Sequence, residues 1–269
     1  MKHRHAYRIS DLADYVNWAY FLHAWGIPSQ ETQEAERLQS DARHILARMT
    51  NYTTVHAIVQ LQPCYADGDD IVLTQEALHL PMLRQQHPDS EGYCLCLADF
   101  IRPKGSGDDT IGLFTTTVKT SLDYQDNYTQ MLAQTLCDRL AEAAAERLHE
   151  EVRKTLWGYA PDETLTMDEL HAEQFQGIRP AVGYPYLPDL SLNFLLDQVL
   201  HFSEIGITLT EHGMMQPHAS VSGLMLSHPA ARYFTVGIIS EEQLNDYAQR
   251  RGLPADVMRT YLAANLSSK

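Results

Sequence analysis

Nowhere do 18 apolar residues run together in the 269-residue chain, so no segment reads as a membrane-spanning helix. Residues 1–5 are basic, but no apolar stretch follows them, which excludes a secretory signal. Cations are scarce: 20 Lys and Arg stand against 35 Asp and Glu, a net charge of -15. A surface of that sign repels nucleic acid and anionic membrane, so neither is expected as a partner. Any anionic ligand group must then be met by a few locally placed cations. Cysteine is sparse as well, with Cys64, Cys94, Cys96 and Cys137 only. Cys94 and Cys96 have no matching pair downstream. Buried free thiols and a cytoplasmic location are expected, and no metal site.

The usual motifs of catalysis are missing too. There is no GxGxxG or GxxxxGK[ST], and Lys104-Gly-Ser-Gly107 lacks the strand–loop–helix layout a phosphate loop needs. None of the 13 histidines belongs to an HExxH. Ala219 precedes Ser220-Val-Ser-Gly223, so this is no GxSxG elbow. His212 and His218 bracket Met214 and Met215 and read as ordinary loop histidines. With no nucleophile and no acid–base pair in view, no catalytic residue is assigned, and hydrolytic or covalent chemistry is not expected.

What is present is globular: 44% hydrophobic and 20% charged residues. The length allows one large or two small domains, and the absence of any linker or repeat favours one domain across 1–269. Ser10-Asp11 predicts a capped helix carrying Leu12, Tyr15, Trp18, Phe21 and Leu22, ended by Gly26-Ile-Pro28. Ser29 is placed as the cap of a second helix reaching about Arg48. Strands are expected over 53–61 and 71–73, joined as a hairpin, and over 94–101 and 110–118. The strongest helix spans 128–156, where Leu132, Leu136, Leu140, Ala144, Leu148 and Val152 recur every fourth residue. Further helices are expected over 166–175, 192–201, 240–251 and 254–262, and strands over 206–210, 220–227 and 233–239. Strand pairs early and late with helices between indicate an α+β fold with mainly antiparallel pairing.

The loop over 177–188 holds two Gly and three Pro. Such backbone is stiff and irregular. Arg179 offers a planar fork for a carboxylate, Gly183 lets a ligand approach the backbone, and Tyr184 offers a stacking face. On residues alone two readings stand. One is a site for a small zwitterion. The other is a tight surface loop in which Arg179 pairs with a nearby acid.

At this loop the chain resembles the activation domain of cobalamin-dependent methionine synthase. The family's Arg-Pro-Ala-Pro-Gly-Tyr-Pro signature reads Arg179-Pro-Ala-Val-Gly-Tyr-Pro185, with Val182 in place of a proline. Matching segments in register include Gly68-Asp-Asp-Ile71, Leu97-Ala-Asp-Phe100, Asp138-Arg-Leu-Ala-Glu-Ala-Ala-Ala-Glu146, Trp157-Gly-Tyr-Ala160, Ala219-Ser-Val-Ser-Gly223 and Ser227-His-Pro229. The likeness runs from about residue 8 to about residue 265. It implies a C-shaped α+β domain with a twisted antiparallel sheet flanked by helices and a ligand in a shallow groove. It also implies S-adenosylmethionine as ligand, presented to cobalamin (vitamin B12) carried by a partner protein, with flavodoxin or another one-electron donor supplying the electron. The partner implied is the cobalamin-binding module of methionine synthase or a related corrinoid protein. No Asp-x-His-x-x-Gly corrinoid motif occurs here, so the chain is expected to act as a reactivation domain or subunit of this methyltransferase, free-standing or excised, and not as a complete enzyme.

By the same resemblance, Arg179 meets the methionine carboxylate, and Ala181, Gly183 and Tyr184 share its loop. Tyr233 and Phe234 match an aromatic pair that contacts the ligand. Glu142 and Glu173 match acidic positions suited to a sulfonium and an ammonium. The expected groove is open and bordered by Tyr184, Tyr233 and the segment 219–223. Two departures stand out. Asn17 replaces the family's ligand-contacting aspartate, and Leu190 replaces a histidine. They keep a second function open, a non-catalytic module that binds or senses corrinoid proteins with weakened ligand binding.

Overall fold

The computed structural model describes residues 1–27 and 32–267. Its sheet is organised by one long strand, β2 (Thr53–Asp67). A strand of 15 residues has two long edges to satisfy. One edge pairs over residues 53–64 with β5 (Asp109–Thr120). The other is shared end to end: β1 (Lys2–Tyr7) covers 55–60 and β3 (Asp70–Leu73) covers 64–67. β4 (Leu78–Pro81) lies beyond β3, and β8 (Ser220–Met225) beyond β5. All these pairings are antiparallel, and the sheet curls with the twist its strands accumulate. A separate two-stranded ladder joins β6 (Thr208–Leu209) to β7 (Met215–Gln216).

The two-residue period of the strands sorts their side chains into two cores. Val55, Ala57, Val59, Phe114 and Val118 face one side; Ile58, Ile111 and Leu113 face the other. The first side is covered by α4 (Asn127–Glu151), whose five apolar residues at every fourth position from Leu132 to Leu148 are all buried as the spacing predicts, as is Val152 just beyond it. Asp126 caps it by accepting the Thr129 N–H at 2.8 Å. Its last turn widens into a π-helical segment, Val152–Leu156, before Gly158. The hydroxyl of Thr116, fully buried in β5, donates to the Ala141 carbonyl at 2.9 Å and so ties the helix to the strand. The second side is covered by α6 (Leu192–Leu200). A third, smaller core gathers Leu83, Val236 and Ile239 against α7 (Glu241–Arg251) and α8 (Ala255–Tyr261).

Several local expectations are corrected. The first predicted helix is interrupted: α1 (Ile9–Leu12) and a 3-10 turn give way to extended backbone at Val16 and Asn17 before α2 (Trp18–Ala24). The break follows from Asn17, whose side chain accepts the Tyr20 N–H at 3.1 Å and restarts the helix as its cap. The basic start is β1, a polar edge strand without apolar alternation to announce it. Residues 94–101 form no strand, because the Asp99 carboxylate takes the Cys96 N–H at 2.8 Å and folds Leu97–Phe100 into a 3-10 turn. Residues 233–239 form no strand, and Gly237 interrupts them with left-handed backbone at φ 72°. Their backbone bonds go elsewhere, as in Val236 N–H to the Pro185 carbonyl at 2.9 Å. α3 (Gln33–Met49) is capped by Thr32; the Ser29 and Pro28 assignments lie outside the described residues. All four cysteines are free, and burial raises the thiols of Cys64, Cys96 and Cys137 to about 12. Among the described residues no helix is long and apolar enough to cross a membrane.

The segment following Gly177 is strapped along β8. Ile178 and Leu226 exchange both backbone bonds at 2.9 Å, Leu224 N–H donates to the Pro180 carbonyl, and Val182 N–H donates to the Ser222 carbonyl. Gly223 makes the close approach possible: a Cβ there would lie 2.2 Å from the Pro180 oxygen and 2.8 Å from the Ala181 Cα. Gly223→Ala is therefore expected to push the segment off the sheet and cost about 1–3 kcal/mol of stability. A lower urea midpoint at unchanged slope would register it; a wild-type midpoint would contradict the packing described.

Candidate functional site

Strapping the 178–182 segment to β8 decides which way its groups point. The backbone of Ile178, Pro180 and Val182 is engaged with the strand. The intervening Arg179 N–H points away and donates to the Tyr233 hydroxyl at 3.0 Å. Ile178 and Val182 enter the second core, while Arg179 and Ala181 face a hollow between this segment and α4. On the helix side, Arg139, Glu142, Ala143 and Glu146 face the same hollow. Their spacing of three and four is one helical face, adjacent to the apolar stripe.

The electrostatic centre is Arg179. Its Nε and Nη2 reach Glu146 Oε2 at 3.3 and 3.0 Å. Its Nη1 lies 3.5 Å from Glu142 Oε2. Glu146 is buried, with only 8% of its side chain exposed, and Glu142 is 21% exposed. Behind them Arg153, fully buried, is held by Glu163 through bonds of 2.7 and 2.9 Å. Acid and base thus alternate from the core outwards, which is how buried charge is kept compensated. Glu173 stands at the mouth, its backbone in the left-handed region at φ 57°. Desolvation holds its carboxyl above the usual range, partly offset by Arg179.

Aromatic rings form the opposite wall. Tyr184 stacks on Tyr186 at 5.7 Å between centroids, and Tyr186 meets Tyr233 at 5.0 Å. The Tyr184 hydroxyl donates to Glu142. Burial raises the Tyr186 phenol to about 12 and the Tyr233 phenol further, so both are neutral hydrogen-bonding groups at physiological pH. Asn17, Tyr15, Tyr20, Leu170 and His171 complete the lining. The hollow measures about 220 Å³, below the usual range for small-molecule pockets. A nucleoside-sized ligand must therefore stand partly proud of it.

Of the residues singled out in the sequence, Asn17, Glu142, Glu173, Arg179, Ala181, Tyr184 and Tyr233 line this one hollow. Gly183 and Phe234 lie outside the lining. Gly183 adopts φ +91° and donates its N–H to the Leu187 carbonyl at 2.8 Å, so its glycine serves the turn. Phe234 packs between the second and third cores. The expectation that 219–223 borders the same groove is corrected. Ala219, Ser220 and Val221 line an adjoining hollow that shares Arg139, Glu142 and Tyr184 with it, because the strapped segment, bridged at Ala181 to Gly223, stands between them and Arg179. Leu190 lies behind Gly183, outside the lining. Lining residues not singled out are Tyr15, Tyr20, Arg139, Ala143, Glu146, Leu170, His171 and Tyr186. Glu146 carried a usable signal, one helical turn from Glu142, and Tyr186 lies two residues from Tyr184. Arg179 pairs with acids, as the second reading expected, and it also lines the hollow.

A family model described as vitamin B12 dependent methionine synthase, activation domain, matches residues 8–252. A crystal structure of the MetH reactivation domain bound to AdoHcy superposes with a TM-score of 0.91 at 36% sequence identity, covering 100% of this chain and 91% of that one. The strapped Arg179 segment, the sheet that carries it and a family match over most of the length agree, and the chain belongs to the activation domains of vitamin B12-dependent methionine synthase.

Proposed function

We propose that the chain binds S-adenosylmethionine in the hollow between α4 and the Arg179 segment and presents its methyl group for reductive remethylation of cob(II)alamin on a partner corrinoid protein, with flavodoxin or another one-electron donor supplying the electron. The observation that carries this reading is the convergence of Arg179, the carboxylates of Glu142, Glu146 and Glu173, and five tyrosines on one hollow, in a chain similar to a domain crystallised with AdoHcy. The donor set suits the ligand. Nη1 of Arg179 makes no hydrogen bond to Glu146, has Glu142 Oε2 only at 3.5 Å, and is suited to a carboxylate. The carboxylates suit an ammonium and a sulfonium. The tyrosine faces suit a purine. A sulfonium is a pre-activated methyl donor and a reduced corrinoid the acceptor. The residues of this chain therefore have to bind and orient, and proximity is the main term they contribute. Tyr20 and Tyr184, 62% and 40% exposed at the mouth, give a rim that a second macromolecule can dehydrate.

Arg179→Ala is expected to weaken S-adenosylmethionine binding by about 2–4 kcal/mol, because a ligand carboxylate loses its charged partner. It also leaves Glu146 buried without its cation, so a lowered melting temperature accompanies it. Calorimetric titration of the folded variant at wild-type affinity would refute the assignment. Asn17→Asp keeps the cap on α2 and adds a negative charge to the lining; a gain of about 1 kcal/mol is expected at low salt. An unchanged or weaker affinity would place Asn17 away from the ligand cation. Glu173 supplies a pH dependence. Its carboxyl titrates above the usual range, and a cationic ligand favours the ionised form. Affinity should therefore fall as pH is lowered, starting above the ordinary carboxylate range near pH ~4.3, and Glu173→Gln should flatten that limb of the profile.

A further inference from the structure

We infer that Glu146 is a selectivity residue of this site, favouring the cationic methyl donor over its neutral demethylated product. The inference rests on the ligand reading above. S-adenosylmethionine and S-adenosylhomocysteine share the adenosine, the ammonium and the carboxylate. They differ by one methyl group and by the positive charge on sulfur. A shallow hollow has little shape with which to sense one methyl, whereas charge acts across the whole pocket. Among the lining residues three carboxylates, Glu142, Glu146 and Glu173, stand against two guanidiniums, Arg139 and Arg179. That leaves one net negative charge facing the ligand.

Glu146 differs from the other two acids. The Tyr184 hydroxyl already engages Glu142, and Glu173 is exposed at the mouth. Glu146 is buried, and among the described residues its Oε1 makes no hydrogen bond, with Arg153 Nη1 at 3.9 Å as its nearest cation. Its nearest cations are shared. Arg179 is also approached by Glu142 at 3.5 Å. Arg153 lies 3.9 Å away and is bound at 2.7 Å by Glu163. Neither guanidinium belongs to Glu146 alone, so part of its charge is left for the ligand. Buried charge is screened little by salt. Arg153 is the positioning residue that backs this carboxylate from the core.

The test is calorimetric titration of the wild type and of Glu146→Gln with both ligands, with thermal unfolding as the check on folding. The wild type should bind S-adenosylmethionine more tightly than S-adenosylhomocysteine. In Glu146→Gln that preference should shrink by roughly threefold to thirtyfold. An equal loss on both ligands would mean a structural role only and would overturn the inference. A wild type that binds the two ligands equally, or the neutral one better, overturns it without any variant. A second measurement does not depend on the variant folding. The wild-type preference should persist between about 0.05 and about 1 M salt, as expected for a buried charge. Its collapse at high salt would assign it to exposed Glu173 and overturn the role of Glu146. A wild type that binds neither ligand refutes the ligand reading itself, an outcome distinct from all of these.

Discussion

The buried contact between Arg179 and Glu146 joins the two halves of the molecule that matter for its chemistry. Arg179 stands on the segment strapped to the outer edge of the sheet, and Glu146 stands on the long helix that covers the sheet's first face. Neither group is tolerable alone at that depth, since an isolated buried charge costs several kcal/mol. The pair therefore sets the distance between helix and segment, and the hollow is the space left over. The Arg153–Glu163 pair behind it extends the compensation into the core, so the site is supported from within and opens outwards.

The strapping of 178–182 to β8 is what brings Arg179 to that position. A pentapeptide with a proline at its centre cannot form a full strand, because Pro180 has no N–H to give. It needs only the Pro180 carbonyl, which takes the Leu224 N–H. The remaining bonds come from Ile178 and Val182, and the side chains between them are free to face the helix. Gly223 lets the two backbones touch. Tyr233 seals the arrangement from the other side by accepting the Arg179 N–H. The irregular loop is thus held as rigidly as a strand while presenting its residues as a loop does, the combination a binding site needs.

Charge at two scales shapes the surface. The chain as a whole is strongly acidic, and its few cations are spent locally. Arg84 bridges Asp69 and Asp99, and Arg251 meets Asp189 beside the Tyr247 hydroxyl. That last cluster ties α7 to the end of the Arg179 loop, through Asp189, and so steadies the tyrosine wall from its far side. In the hollow the acids outnumber the bases by one, which suits a ligand with more positive than negative charge. At the mouth exposed Tyr20 and Tyr184 stand beside Glu173.

Much of this was legible in the residues. The four-residue apolar period required α4 and its burial, because only a helix brings every fourth residue to one face. The Gly- and Pro-rich run from 177 to 188 excluded regular ladders and marked the loop that lines the hollow, because those residues restrict backbone conformation locally. The resemblance pointed to seven residues that do meet in one hollow. What the chain alone could not specify was everything set by a distant partner. Residues 233–239 look like a strand, but Gly237 turns the backbone at φ 72°, and the Pro185 and Asn265 carbonyls take the Val236 and Ile239 N–H bonds. The polar β1 became a strand because β2 outruns β3 and leaves half an edge open. Glu146 sits among alanines on a helix and reads as a solvated charge until Arg179 arrives from 33 residues away. Local conformation follows from local stereochemistry, which sequence carries directly. Burial, edge pairing and ion pairing depend on which segments meet, and only the tertiary structure decides that.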